Sequence, residues 1–161
     1  MFVVGPANKG KSLLANKLIG WLLGGATDIS KFLMGKEDFN DNLFPNGVGT
    51  VDDEEAATDA KSHLTFSAIV KKMTANYDHS MRKMYSGRVD VTWPGRIVVT
   101  LNRDAYSMRM LPNLDISIRD KLMILQASSK PIDFPPDVED VIREELPYFA
   151  NFLLNYQIPR N

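Results

Sequence analysis

Gly5-Pro6-Ala7-Asn8-Lys9-Gly10-Lys11-Ser12 decides the fold of this chain. The stretch fits G-x-x-x-x-G-K-[ST], a loop whose successive backbone N–H groups turn inward around an anion while the helix that follows adds partial positive charge. Its flanks fit as well. Phe2-Val3-Val4 reads as a short buried strand, and an apolar helical pattern over about 11–23 ends at Gly24-Gly25. In such a loop Lys11 reaches the β- and γ-phosphates of a nucleoside triphosphate and the Ser12 hydroxyl ligates Mg²⁺. Gly5 and Gly10 allow a close approach that a Cβ would hinder. Asn8, Lys9 and Leu13 are counted with them as nucleotide-binding, and the expected cofactors are ATP and Mg²⁺. A chance glycine-rich turn is the competing explanation; four fixed positions between a strand and a helix argue against it.

Outward from the loop, strands alternate with helices. A polar stretch with short apolar pieces (Ile29, Phe32-Leu33-Met34, Phe39, Leu43-Phe44) reads as short helices or turns, and 48–51 as a weak strand. Helix follows over about 56–74, then a basic and alternating segment over 81–91 that suggests a hairpin with Gly87 near its turn. Ile97-Val98-Val99-Thr100-Leu101 is the clearest buried strand, and 120–125 a shorter one. After the proline-bounded stretch 131–136, residues 137–156 read as a helix or a helix pair broken near Pro147. The pattern predicts an α/β fold, a three-layer sandwich with a mainly parallel sheet, divided into a core over 1–130 and a linker with a helical segment over 131–161. Met1 lies directly against the first strand, so a fragment of a longer protein is expected.

Composition narrows the function classes. A chain of 161 residues with 44% hydrophobic content can bury a proper core. It has no apolar run near the ~20 residues that span a bilayer and no signal peptide, so a cytoplasmic setting without membrane contact is expected. With no cysteine, disulfides and thiolate metal sites are excluded, and with only His63 and His79 a histidine-rich zinc site is not expected. A net charge of −1 leaves any contact with nucleic acid to a local patch.

Phosphoanhydride hydrolysis needs a carboxylate to hold Mg²⁺ and another to orient water. Asp52-Asp53-Glu54-Glu55 follows a strand about 40 residues past the loop. Asp53 is assigned to the metal and Glu54 to the base, with Asp52-Asp53 as an equally legal register; acids placed to suit a helix dipole explain the same residues. Asn102 ends the best strand, where ligands bind in open α/β sheets, and fits a sensor of the γ-phosphate or attacking water as well as it fits a strand-end turn. Arg103, Arg109 and Arg119 are candidates for a transition-state arginine supplied by a neighbouring subunit, against surface pairs with acids such as Asp115 and Asp120. Lys72, Arg82, Lys83 and Arg88, interleaved with Tyr77, Tyr85 and Trp93, suit a single-strand backbone and stacked bases; a solvated basic face accounts for them equally.

Taken in order, these segments resemble the superfamily-3 helicase group of AAA+ ATPases, above all the helicase half of viral and phage primase–helicases. The resemblance rests on residues 5–12 (Walker A), Val51-Asp52-Asp53-Glu54 (Walker B), Arg82-Lys83-Met84-Tyr85-Ser86-Gly87-Arg88 (B′) and Arg96-Ile97-Val98-Val99-Thr100-Leu101-Asn102 (motif C). It extends to Asp115-Ile116-Ser117-Ile118-Arg119-Asp120-Lys121, which matches the stretch carrying the family's arginine, and to Glu144-Glu145-Leu146-Pro147-Tyr148-Phe149. It implies a P-loop ATPase that assembles as a hexameric ring, with Arg119 as a finger in trans, and moves single-stranded DNA during viral, phage or mobile-element replication, in some members beside a primase domain. The B′ match and the Walker B strand depart from the pattern. Two other readings stand beside it: a nucleotide-binding assembly module without motor activity, and a small-molecule kinase, for which no arginine-rich lid or acceptor pocket is evident.

Overall fold

The apolar run after Met1 forms β1 (Phe2–Gly5), whose four residues are all buried, inside a five-stranded sheet. The computed structural model describes residues 1–52, 60–112 and 118–159. Within them the sheet is β2 (Ala26–Asp28), β3 (Val48–Asp52), β6 (Arg96–Asn102), β1 and β7 (Ile124–Gln126), in that spatial order, and every neighbouring pair is parallel. A separate antiparallel ribbon pairs β4 (Asp78–Arg82) with β5 (Arg88–Thr92). The expectation of an α/β fold with a mainly parallel sheet holds.

Both faces of the sheet are covered, and the pleat decides which residue meets which layer. Phe2, Val4, Val51, Ile97, Val99 and Leu101 join Leu33 of α2 (Ser30–Leu33) and Phe66 and Val70 of α3 (Ala60–Ala75) in one cluster. The alternate residues Val3, Val48 and Val98 pack with Ala15, Leu14 and Ile19 on the other face. That second layer is one helix: Lys11 and Ser12 open it, Leu13–Ile19 winds as a π-helix, and α1 (Gly20–Leu22) closes it. It stops where the sequence predicts, at Gly24 and Gly25, with φ of 89° and 124°.

Four local readings change. Ala26–Asp28 is a strand at the sheet edge, where turns were expected; it is short and polar, and only its pairing with β3 defines it. The hairpin starts three residues earlier than the alternation suggests, because Asp78 and His79 pair with Thr92 and Val91. The segment 120–125 is a 3₁₀ turn, Arg119–Lys121, followed by three strand residues. Pro147 does not break the last helix: α4 (Val138–Asn155) runs through it. Among the described residues α4 buries none of its own, so water can satisfy the carbonyl that Pro147 leaves unpaired. Its first turns dock on the helix after the loop. Lys17 meets Glu139 at 3.0 Å, and Lys17 and Arg143 lie 5.4 and 4.8 Å from the Trp21 ring centre.

Candidate functional site

Parallel strands point the same way, so their C-terminal ends share one edge, and the loop after β1 rises from it between β6 and β7. The register aligns Gly5 with Asn102 and Asp52 with Thr100. Asn8 and Gly10 take positive φ, 56° and 70°, which asparagine and glycine tolerate. At Gly10 a Cβ would also meet the Phe134 ring, 2.7 Å from its Cζ. Close approach matters at Gly5 too, where a Cβ would stand 2.6 Å from that of Ala127.

Two hydrogen-bonded groups converge at this edge. Lys11 is buried, and its Nζ donates to the carbonyls of Gly5 (3.2 Å) and Pro6 (2.7 Å) and to Asn102 Oδ1 (3.1 Å). Beside it, the hydroxyls of Ser12 and Thr100 each donate to Asp52 Oδ1, both at 2.6 Å. Strand alternation explains the second group: 48, 50 and 52 on β3 and 98, 100 and 102 on β6 face the helix that Ser12 opens.

Of the residues singled out from sequence, Gly5, Asn8, Lys9, Gly10, Lys11, Ser12 and Leu13 lie on this one loop and helix start, and Asn102 reaches Lys11 across the sheet edge. Asp53 and Glu54 lie outside the described residues; the carboxylate that meets Ser12 is Asp52, the first residue of the alternative register. Thr100 was not read as a site residue. Its signal was available, since after Arg96 the only polar positions of β6 are Thr100 and Asn102, two residues apart and therefore on one face of the strand. Arg119 stands at the other end of the sheet, in the turn before β7, exposed and 3.4 Å from Asp120. Arg103 and Arg109 are exposed beyond the end of β6.

The four basic residues assigned to nucleic acid surround the ribbon. Arg82 and Arg88 face each other at its last registered pair, Lys83 begins the turn, and Lys72 approaches from α3. Lys72, Arg82 and Arg88 line one cavity of about 370 Å³; Lys83 does not. Tyr85 in the turn is almost wholly exposed, at positive φ, and Tyr77 flanks the ribbon, whereas Trp93 is buried and donates from Nε1 to Asn46 O at 2.7 Å. Trp93 is therefore a core residue and no stacking platform.

Residues 3–119 match the model of DUF5906, described as a family of unknown function. The chain belongs to that family. No curated protein sequence matches it. Among solved structures, the fold is similar to the apo C-terminal region of NrS-1. An A form of that region aligns at 12% identity with a TM-score of 0.66, covering 98% of this chain and 36% of the other. A second apo structure gives 12% and 0.71, covering 98% and 37%. A third gives 10% and 0.62, covering 98% and 36%. The DUF5906 chain thus spans little more than a third of the length of those structures, and at this identity the likeness is one of fold.

Proposed function

We propose that this DUF5906 chain is the nucleotide-hydrolysing core of a P-loop ATPase of the helicase type, acting on single-stranded nucleic acid in viral, phage or mobile-element replication. The observation that carries the reading is the convergence of Lys11, Ser12, Asp52 and Asn102 at the carboxyl edge of a parallel sheet, around a loop that fits G-x-x-x-x-G-K-S. The likeness in fold to the NrS-1 C-terminal region supports the parallel α/β architecture on which this edge is built, and the superfamily-3 resemblance of the motifs supports a translocase in a replication setting.

The donor set suits Mg²⁺ bound with a triphosphate. Ser12 and Asp52 offer hard oxygen ligands 2.6 Å apart, and among the described residues no group of three or more His, Cys, Asp or Glu forms a cage that would hold a metal alone. When bound, Mg²⁺ neutralises charge on the phosphate oxygens; Ser12 and Asp52 would hold it. Lys11 is held by two carbonyls and an amide oxygen. Exchanging these neutral acceptors for phosphate oxygens adds the attraction of opposite charges to bonds in which only the ammonium is ionised here. Asn102 ends β6 at the edge where a γ-phosphate or its attacking water would lie. Thr100 keeps the Asp52 carboxylate oriented. Asp53 or Glu54 remains the proposed base, and an arginine, Arg119 first among the candidates, would come from a neighbouring subunit of a ring.

ATP hydrolysis measured against protein concentration, with and without single-stranded DNA and with mass followed by light scattering, tests this. A steep rise with concentration and stimulation by DNA are expected, both abolished in Lys11→Ala. Hydrolysis that survives Lys11→Ala in an assembled sample would sink the assignment. One observation favours a second reading, an assembly module whose nucleotide state gates association: Tyr148, Phe152 and Leu154 on α4, and Tyr156 just after it, are all more than half exposed. ATP-dependent association with DNA-independent hydrolysis near zero would select it.

A further inference from the structure

The ribbon β4–β5 stands over a cavity that the nucleotide chemistry does not use. Its floor is apolar, made by Phe32, Phe44, Ile69 and Met73, and its volume of about 370 Å³ lies in the range of small-molecule sites, roughly 300–1,000 Å³. One wall is held firmly to the ribbon by Asn40, which is buried. Its Nδ2 donates to Ser80 O, and its Oδ1 accepts from the Arg82 backbone N–H at 2.7 Å. The rim is charged, with Lys72, Arg82 and Arg88 set against Glu37 and Asp38.

Two features of this cavity are unfavourable as they stand. Arg82 and Arg88 are directly opposite each other in the ribbon, and like charges at such a pair repel. Asp38 meets Arg82 at 3.0 Å, while Arg88 and Lys72 have no ion-pair partner among the described residues. In the wall, His79 is only 5% exposed and its Nε2 has no hydrogen-bond partner among the described residues. Buried polar atoms of this kind are rare, and a bound polar group is one of the arrangements that satisfies them. An anionic group at the rim and a polar ring edge at the wall would relieve both, over a floor of apolar side chains.

We propose that this cavity holds one nucleotide of a single strand, its base laid on Phe44 and Ile69 toward His79 and its phosphate against Arg88 and Lys72. The inference rests on the single-strand reading above. A strand fits better than a lone nucleotide because basic and aromatic residues continue out along the ribbon through Lys83 to the exposed Tyr85, a track that a single phosphate would not need.

The full chain is titrated by fluorescence anisotropy against a fluorescein-labelled oligothymidylate and against the same backbone made wholly abasic, with dTMP as competitor. The thymidylate strand is expected to bind about tenfold more tightly, the scale of one stacked base. His79→Phe, which keeps the ring and its fold, is expected to shrink that gap while leaving the abasic strand unchanged. Arg88→Gln with Lys72→Gln is expected to weaken both strands. Equal binding of the two strands, or a gap that all these variants leave intact, overturns the proposal. Displacement of the strand by dTMP at the strand's own affinity overturns the strand as source and assigns the cavity to a free nucleotide. If neither strand binds while Mg-ATP still stabilises the protein, the cavity proposal falls and the nucleotide site stands. If neither strand nor Mg-ATP has any effect, the proposed function falls with it.

Discussion

At the scale of single residues, Asp52 and Thr100 were the hardest to read. Four consecutive acids left the register open, since sequence spacing cannot say where a short strand ends; pairing with β6 places Asp52 opposite Thr100 and beside Ser12. Thr100 is buried inside an apolar run, where a threonine is easily taken for a strand former. Thr100→Val keeps the shape and removes one hydrogen bond to a carboxylate. A stability loss of about 1–2 kcal/mol is expected. On the nucleotide reading the Mg²⁺ concentration for half-maximal hydrolysis should rise severalfold, with Thr100→Ser restoring it. A Mg²⁺ requirement unmoved by Thr100→Val would reduce Thr100 to a packing residue. His79 gives a prediction in pH. Burial holds its pKa below the ordinary 6.5, outweighing the raising effect of a hydrogen bond with the Asn76 backbone; a weaker lowering by Lys72 and a still weaker raising by Asp78 follow. Below the ordinary value the unfolded chain takes up a proton that the folded imidazole resists, so stability falls as pH drops below about 6.5 and is recovered above it. His79→Phe should flatten that limb of a plot of denaturation midpoint against pH; an unchanged slope would place the titration elsewhere.

Among the elements, legibility follows how much each depends on itself. The strands 97–101 and 2–4 and the helix after the loop carry their own signals, namely continuous apolar runs and a double glycine stop, and all three form where expected. The three-residue strands β2 and β7 have no such signal, because neighbouring backbone alone defines them. The last helix reverses the case: its local warning, Pro147, is overridden because its solvent-facing backbone can be hydrated. What fixes α4 is its N-terminal half on Trp21, between Lys17 and Arg143. Cation–π contacts at such sites contribute about 0.5–1 kcal/mol each. Trp21→Ala should therefore release α4 without unfolding the sheet. Hydrogen exchange in 138–146 should speed up about tenfold or more while amides of β1 and β6 keep their protection. Equal acceleration in the strands would mean that α4 is part of the global core.

Across the whole molecule, one architectural fact joins the loop, the carboxylate and the amide: all strands of the main sheet run the same way, so residues scattered over about 100 positions of sequence finish at one edge. Neither the loop motif nor β6 could reveal that alone; the alternation of strands and helices implied it, through the parallel sheet that such alternation produces. A ligand at that edge touches β1, β3 and β6 through their ends, so its binding energy should reach the fold as a unit and not one loop. Any ligand that binds only the folded state stabilises it by RT ln(1 + [L]/Kd), about 2.7 kcal/mol at a hundred times Kd. For a domain of this size that corresponds to a rise in Tm of roughly 5–10 °C. Mg-ATP is expected to produce a rise of this order in a single transition, ATP with chelator a smaller one, and Lys11→Ala none. The absence of Mg from the second sample removes only what Ser12 and Asp52 hold, so the difference between the two shifts measures that pair separately from Lys11. Equal shifts with and without Mg²⁺ would detach Asp52 from the nucleotide, and no shift at any concentration in the wild-type chain would leave the edge without the ligand proposed for it.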